Sequence, residues 1–239
     1  MKILFLSDIH GNYPALMAVE RHAQTQGGYD LAIHCGDATV YAPFPNEVLD
    51  WLKQYARVSL LGNTDLKVGK LLRGKTFKKP SSMEKRVMYT KTAEQLTADN
   101  RDYLSNLPQQ EELEIGGLLF GCFHGSPGAF DEHLFADTSN LRFKELAGKT
   151  PAEVILCGHS HTPFHKKIKD KHFINAGSVG RMFDGNPDAC YAMIYLNEGR
   201  LTVRHHRVSY DVEAVAHELA RQLLPPIYSE MFRQGRKLN

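Results

Sequence analysis

The order of apolar segments predicts an α/β protein with a parallel sheet. Apolar runs at 2–6, 30–35 and 57–61 are typical of buried strands, and segments with helical spacing of apolar residues separate them. Each run ends abruptly in a polar motif that contains glycine. In sheets of this type, ligands bind beyond the carboxyl ends of the strands. The sequence therefore predicts a functional site at that edge of the sheet.

The later elements follow from local patterns. Asn12 and Asn46 are predicted N-caps of the first two helices, and the capping-box pattern Thr92-x-x-Gln95 predicts that a third helix begins there. Further strands are predicted at 111–115, 118–123, 153–157, 164–168, 171–174, 189–196 and 200–208, and helices at 140–146, from 212, and at 227–236. The apolar residues of the last helix need cover, for which core packing is favoured over a dimer contact. The oligomeric state is left open.

Length and composition suit a single domain. The chain has 239 residues, of which 42% are hydrophobic. We expect one domain over 1–239, with a basic excursion at 66–91 and a C-terminal helical tail at 211–236. The apolar run at the start is too short for a signal peptide, and no later run could span a bilayer. The expected location is therefore cytoplasmic, without a membrane partner.

The four cysteines form neither a Cys-x-x-Cys pair nor a disulfide framework. Cys35, Cys122 and Cys157 lie near predicted strand ends, close to the polar motifs, so a role as metal ligands must be considered. Small buried thiols are common in protein cores, and the neighbouring histidine and aspartate residues already suffice as ligands. We therefore predict reduced core thiols.

The segment 66–91 concentrates positive charge. Its only acidic residue is Glu84, against nine basic residues, which are Lys67, Lys70, Arg73, Lys75, Lys78, Lys79, Lys85, Arg86 and Lys91. Two interpretations stay open: a solvated surface segment, or an electrostatic lip that attracts an anionic substrate. Nucleic acid is a less favoured partner.

The first strand shows why the strand ends suggest a metal site. It leads into Ser7-Asp8-Ile9-His10-Gly11-Asn12. Alternate side chains of an extended segment share one face, so Asp8 and His10 can bind one cation. Any single such residue is more often a turn former or a core residue. The same residue types recur at later strand ends, giving seven candidate ligands: Asp8, His10, Asp37, Asn63, His124, His159 and His161.

Seven oxygen and nitrogen ligands are too many for one closed zinc site, which takes four. They suit two cations that share a bridging carboxylate. Such a pair lowers the pKa of a trapped water toward about 7 and holds both oxygens of an in-line displacement at phosphorus. A mixed imidazole and carboxylate site accepts several metals, with manganese favoured for activity and iron, zinc, nickel or cobalt as alternatives.

Together these motifs resemble the calcineurin-like metallophosphoesterase superfamily. The matching residues are Asp8-Ile9-His10, Gly36-Asp37, Gly62-Asn63-Thr64-Asp65, His124 and Gly158-His159-Ser160-His161. The resemblance implies a four-layer αββα sandwich of two mixed β-sheets flanked by helices. It also implies that Asp8, His10 and His161 hold one metal, that Asn63, His124 and His159 hold the other, and that Asp37 bridges them. Asp37 and Asn63 would then position the metal-bridged hydroxide that acts as nucleophile.

One position departs from the family pattern. The family's phosphatases carry a histidine after the motif asparagine, where this chain has Thr64. A hydroxyl is a poor general acid at neutral pH, and the chain is similar to the small bacterial and archaeal phosphodiesterase branch, which also lacks that histidine. We therefore expect hydrolysis of phosphodiesters or activated phosphomonoesters. Arg181 is a candidate substrate contact, with an ordinary surface role as the alternative.

Three other functions stay open at this stage. They are a protein or nucleotide phosphatase, a nuclease, and a non-catalytic scaffold of the same fold. Metal content with ester hydrolysis separates the scaffold from the enzymes, and salt-dependent polynucleotide binding would indicate the nuclease.

Overall fold

The computed structural model describes residues 1–77, 81–197 and 199–238. Its ten strands are β1 (Lys2–Leu6), β2 (Leu31–His34), β3 (Ala56–Ser59), β4 (Gln110–Ile115), β5 (Leu118–Phe123), β6 (Val154–Cys157), β7 (Phe164–Ile168), β8 (Lys171–Asn175), β9 (Ala189–Asn197) and β10 (Arg200–Val208). The eight described helices are α1 (Tyr13–Thr25), α2 (Pro45–Tyr55), α3 (Asn63–Leu72), α4 (Met83–Gln95), α5 (Ala98–Asn106), α6 (Asn140–Ala147), α7 (Val212–Arg221) and α8 (Ile227–Gln234).

The strands form two five-stranded mixed sheets, as expected. The first has the order β10-β9-β1-β2-β3 and the second β4-β5-β6-β8-β7. β1, β2 and β3 are parallel, and so are β5, β6 and β8, whereas hairpin strands pair antiparallel at the margins. The carboxyl ends of both parallel sets carry the polar motifs.

The alternating side chains of β1 explain its continuous apolar run. Ile3 and Phe5 pack between the two sheets, against Phe120 of β5 and Ile174 of β8. Leu4 and Leu6 face the helical layer that covers the first sheet. A third cluster, which includes Phe143 of α6 and Phe173 of β8, covers the other face of the second sheet. Helices therefore flank both sheets, and the predicted fold class is confirmed.

Of the three helix starts predicted from capping residues, two are wrong and one is right. Asn12 Oδ1 accepts from Ala15 N at 3.1 Å and caps α1. Thr92, however, is buried in the last turns of α4, and α5 begins after Thr97, which caps it. The sequence gives little sign of α4, because this helix is rich in basic residues and buries few side chains. The predicted boundary thus fell on the end of one helix and not on the start of the next.

The Asn46 side chain does not cap α2 but bonds to the junction between α4 and α5. Helix α2 begins at Pro45, and its N-cap residue makes no side-chain hydrogen bond. The Asn46 amide donates to Gln95 O at 2.9 Å and accepts from Thr97 N at 3.1 Å. It therefore ties α2 to the junction of α4 and α5, a contact that no local pattern encodes.

The segment 66–91 and the tail both take part in the fold. The segment runs through α3 and α4, and the predicted charges at Lys78 and Lys79 lie outside the described residues. In the tail, Leu219 of α7 and Met231 and Phe232 of α8 are buried in the same cluster as Leu4 and Leu6. Within the part of the chain that the structure describes, no helix has the length and apolarity needed to cross a membrane.

Candidate metal centre

The loops after five strands bring all seven predicted side chains together. Asp8 and His10 follow β1, Asp37 follows β2, and Asn63 follows β3 as the first residue of α3. The remaining three residues follow strands of the second sheet: His124 after β5, and His159 and His161 after β6. The centre therefore lies where the carboxyl ends of the two parallel sets meet.

The first ligand group consists of Asp8, His10 and His161. Their candidate ligand atoms all lie within 4.8 Å of one another. The two Nε2 atoms of the histidines are 3.2 Å apart, and Asp8 Oδ1 lies 3.3 Å from His161 Nε2 and 3.9 Å from His10 Nε2. One carboxylate oxygen and two imidazole nitrogens thus converge on a single point.

The second ligand group consists of Asp37, His124 and His159, again with ligand atoms within 4.8 Å of one another. Asn63 Oδ1 joins it at 3.1 Å from His124 Nε2. Asp37 faces both groups, because its Oδ1 lies 3.6 Å from His124 Nε2 and its Oδ2 lies 3.8 Å from His10 Nε2. Asp37 therefore presents one carboxylate oxygen to each group.

Backbone carbonyls set the tautomers of three histidines. Nδ1 of His124 donates to Cys35 O at 2.8 Å, Nδ1 of His10 lies 3.4 Å from Thr39 O, and Nδ1 of His161 donates to Arg181 O. A carbonyl can only accept, so Nδ1 carries the proton. The Nε2 lone pair is then left facing the centre, as in metal-ligating histidines.

One carboxylate oxygen shows that the residues fit a cation. Asp8 Oδ2 accepts from Ser7 Oγ at 2.7 Å and from His159 N at 2.9 Å, whereas the buried Oδ1 has no hydrogen-bond partner among the residues that the structure describes. A buried charged oxygen without a donor is costly. A cation among Asp8, His10 and His161 would neutralise that oxygen and use both imidazole lone pairs.

The backbone at the site is strained. Of the seven side chains, five sit on residues with left-handed φ: 54° at Asp8, 53° at His10, 59° at Asp37, 64° at His159 and 56° at His161. Each such residue costs about 1–3 kcal/mol and persists only where the surroundings impose it, which is typical of functional sites. The strain turns these side chains inward at the ends of the strands.

Two motif glycines allow the loops to approach each other. A Cβ at Gly62 would lie 2.0 Å from Asp37 N, and a Cβ at Gly158 would lie 1.9 Å from Ser7 Oγ. Both distances are far below any real contact. The glycines beside the candidate ligands are therefore needed for packing between loops.

Burial and neighbouring charge set the protonation states. Burial raises the pKa of Asp37 to about 6, although the nearby His124 opposes the rise. For Asp8, burial is outweighed by His161, His124 and His10, which hold its pKa well below the usual range. Burial, together with the charge of His124, lowers the pKa of His159 to about 4. His159 is consequently a neutral imidazole near pH 7, the form that binds metals.

Asp65 is a structural residue that the sequence analysis missed. It is fully buried and accepts from Ala38 N, Thr39 N, Thr39 Oγ1 and Gly62 N at 2.6–3.0 Å. Its carboxylate thereby clamps the loop after β2 to the loop after β3. The signal was present in Gly62-Asn63-Thr64-Asp65, but only the tertiary contacts show what it binds.

Thr64 lacks proton-donating chemistry at neutral pH. Its backbone N donates to Asp37 Oδ1 at 2.8 Å, and its buried Oγ1 lies 3.4 Å from Thr39 O. The residue therefore orients Asp37 through the main chain, and its side chain faces the protein.

His133 and Arg181 border the centre. The ring of His133, which the sequence analysis also missed, lies 4.0 Å from that of His159 between centroids. No motif surrounds this histidine, so no sequence signal marked it.

Arg181, the predicted substrate contact, is buried, and its guanidinium lies 3.8 Å from the ring centre of Tyr41. The Tyr41 ring in turn lies 5.3 Å from the ring of His10.

The cysteines stay apart from both ligand groups. All four are free and buried. Burial raises the pKa of Cys35 and of Cys157, so their thiols are protonated. The prediction of reduced core thiols agrees with this environment.

Comparison with known proteins places this chain among phosphoesterases. The model of the calcineurin-like phosphoesterase superfamily domain matches residues 1–199. An uncharacterised protein of Methanocaldococcus jannaschii is 28% identical over 98% of both chains, and a probable metallophosphoesterase of the same organism is 28% identical over 62% of this chain and 53% of its own length. The crystal structure of a metallophosphoesterase from Sphaerobacter thermophilus superposes with a TM-score of 0.81, at 24% identity, over 98% of this chain and 99% of its own.

The chain belongs to the calcineurin-like phosphoesterase superfamily. It is accordingly a metal-dependent hydrolase of phosphoric esters, and the resemblance drawn from its motifs is confirmed. Its substrates are phosphate esters. Two candidate groups of metal ligands are present, as a family of metal-dependent enzymes requires.

Proposed function

We propose that the protein is a dinuclear phosphodiesterase that also accepts activated phosphomonoesters. The observation that carries this proposal is the position of Asp37 between two ligand groups, with one oxygen toward His10 and the other toward His124. Asp8, His10 and His161 would hold one ion, and Asn63, His124 and His159 the other, with Asp37 shared.

The bound cations would supply a nucleophilic hydroxide at neutral pH and polarise the phosphoryl oxygens. The protein's own part is positioning. Asp37 and Asn63 hold the centre in place through the loops that Asp65 clamps, and the Nδ1 contacts of the histidines fix the direction of each Nε2 lone pair. Hydrolysis forms one P–O bond to the hydroxide oxygen and breaks the P–O bond to the leaving group, which takes a proton from water.

The preference for diesters rests on Thr64. Its side chain offers no acid near neutral pH, so leaving groups that need protonation should react slowly. Substrates with good leaving groups need no such acid. Arg181 would contact a non-transferred phosphate oxygen, which its unpartnered buried Nε supports.

Manganese is the proposed metal for activity. Imidazole, carboxylate and amide ligands together accept Mn, Fe, Zn, Ni or Co, and availability decides among them. We also propose that residues 1–239 form one domain, because α7 and α8 pack into the core cluster that covers the first sheet.

The test combines metal analysis with turnover of bis(p-nitrophenyl) phosphate. We expect about two ions per chain and hydrolysis with added Mn(II). His161→Gln should lose metal and activity, whereas His217→Gln, on the exposed face of α7, should retain both.

Three results would contradict the proposal. Bound metal without turnover under any of the five metals would indicate the scaffold. Faster hydrolysis of phosphopeptides or nucleotide monoesters than of diesters would indicate a phosphatase. Strongly salt-dependent binding and cleavage of polynucleotides would indicate a nuclease.

A further inference from the structure

Four positive side chains from three distant segments gather beside the candidate metal centre. They are Lys67 of α3, Lys85 of α4, Arg181 in the loop after β8, and Lys237 after α8. We call this group the cationic rim. It uses only part of the basic segment 66–91, and it includes two residues from outside that segment.

Aromatic rings connect the rim to the centre. The Tyr41 ring lies 5.3 Å from the ring of His10 and 6.0 Å from that of Tyr89, and the Arg181 guanidinium lies over Tyr41 at 3.8 Å. The Lys67 ammonium is 5.7 Å from the centre of the Tyr89 ring.

Lys85 and Lys237 complete the rim. Lys85 precedes Tyr89 by four residues in α4 and so lies on the same helix face. Partial burial and the positive charges of Lys237, Arg181 and Lys67 all lower the pKa of Lys85. The rim therefore borders the half of the centre that contains His10, through Tyr41 and Arg181.

Arg181 is a buried cation without an acidic partner. It is 7% exposed, and within the described residues its Nε has no hydrogen-bond partner and its terminal nitrogen donates only to Met231 Sδ at 3.0 Å, a weak acceptor. A buried guanidinium with an unused donor is expensive, and an anion would relieve that cost.

The lysines of the rim are unneutralised as well. No ion pair within 4 Å involves any of the four rim residues in the described parts of the chain. Like charges that make no ion pair destabilise the folded protein unless an anionic ligand compensates them.

We infer that the cationic rim binds a second phosphate group of a substrate that carries a phosphoanhydride chain, while the metal centre binds the phosphorus that is attacked. This inference rests on the proposed function for the identity of the reacting site. A single phosphodiester carries one negative charge, which the centre alone can satisfy. Four further positive charges suit a chain of several phosphates.

A single-stranded polynucleotide is the weaker match. Channels that bind single strands combine a charged track with aromatic side chains on which bases stack. Here Tyr41 and Tyr89 are buried, 7% and 4% exposed, and their faces are occupied by Arg181 and Lys67. The rim offers compact charge and no stacking surface.

The test measures equilibrium binding by calorimetry, with no turnover required. The probes are orthophosphate, tripolyphosphate, ATP and a ten-residue oligothymidylate. The proteins are the wild type, the rim variant Lys67→Met/Lys85→Met, and a control variant Lys144→Met/Lys167→Met. The control removes two exposed lysines from α6 and β7. Chelation of metal by tripolyphosphate affects all three proteins equally.

We expect the wild type to bind tripolyphosphate more tightly than orthophosphate, and the rim variant to lose about tenfold of that advantage, as two partly screened charge pairs predict. The control variant should keep it. Tighter binding of ATP than of tripolyphosphate would identify a nucleoside-bearing chain, and equal binding a chain recognised by phosphates alone; both support the rim.

The inference would be overturned if the rim and control variants lose the tripolyphosphate advantage equally, or if neither loses it. Tighter binding of the oligothymidylate than of tripolyphosphate would overturn it as well. A wild type that binds tripolyphosphate through the rim but hydrolyses no ester would contradict the proposed function and leave the rim intact. If the protein hydrolyses diesters but the rim variant binds tripolyphosphate as tightly as the wild type, the proposed function stands and the inference about the rim is wrong.

Discussion

Replacing Asp37 with asparagine should stabilise the metal-depleted protein at pH 8. Asp37 is 2% exposed, and burial raises the pKa of its carboxyl from an ordinary 3.8 to about 6. The unfolded carboxyl therefore loses its proton near pH 3.8, whereas the folded one keeps it until about pH 6. The stability associated with this group is complete below pH 3.8 and is lost as the pH rises through 6.

The size of the effect follows from the two pKa values. They differ by about 2, and each pH unit corresponds to 1.36 kcal/mol, so ionised Asp37 costs about 3 kcal/mol at pH 8. Asparagine resembles the protonated acid and can still accept from Thr64 N, which donates to Oδ1 at 2.8 Å. The variant should gain about 3 kcal/mol at pH 8 and nothing at pH 4.

Urea unfolding after dialysis against a chelator measures this directly. Trp51 is the only tryptophan and is buried, so its fluorescence reports unfolding. Adding Mn(II) at about a thousand times the Kd should reverse the order, because the wild type then gains about 4.1 kcal/mol, which exceeds the advantage of the variant. The variant has lost the shared ligand.

Asp65→Asn is the matched control. Asp65 is equally buried, but each of its oxygens accepts two hydrogen bonds. In Asp65→Asn, the amide nitrogen would face two hydrogen-bond donors. This should lower the free energy of unfolding by about 2–6 kcal/mol at both pH 4 and pH 8. If metal-depleted Asp37→Asn is less stable than the wild type at pH 8, the account of a desolvated bridging carboxylate is wrong.

The other predictions concern three positions around the centre. Ser7→Ala removes the hydroxyl that donates to Asp8 Oδ2 at 2.7 Å and should weaken metal affinity about 10–100-fold, measured by titration with Mn(II). Thr64→His should raise the ratio of monoester to diester hydrolysis, because an imidazole can protonate the leaving group. Burial lowers the pKa of His34 to about 4. The metal-depleted protein should therefore lose about 3 kcal/mol of stability as the pH falls from 6.5 to 4, because the unfolded imidazole binds a proton first, and His34→Asn should abolish that loss.

Each of these has a control and an opposing outcome. Thr25→Ala, at the exposed end of α1, is the control for Ser7→Ala, and equal metal affinities in both variants would contradict the role of the Ser7 hydroxyl. Thr64→Val controls for the change in shape at Thr64, and an unchanged substrate ratio in Thr64→His would count against the missing acid. Parallel stability curves of His34→Asn and wild type between pH 6.5 and 4 would show that His34 does not titrate there.

Much of the fold and the site was predictable because their signals are local. A buried strand that ends in Asp-x-His or Gly-Asp presents both the apolar run and the polar end within ten residues. The structure brings all seven candidate side chains together. Their roles as ligands stay predictions until metal is measured.

The predictions that failed depended on distant partners. Thr92 and Asn46 have sequences suited to helix starts, but contacts between α2 and the α4–α5 junction decided where those helices begin. The clamp made by Asp65 and the position of His133 also arise only from tertiary contacts.

The sequence by itself determined the α/β class and the residues at the strand ends, because side-chain alternation and glycine turns act over a few residues. Only the tertiary structure decided which oxygen of Asp8 lacks a described partner, how Asp37 faces two groups, and that Lys67 and Arg181 border one site. The reason is physical: burial, electrostatic coupling and loop packing depend on distances between segments far apart in the chain, which a linear pattern does not contain.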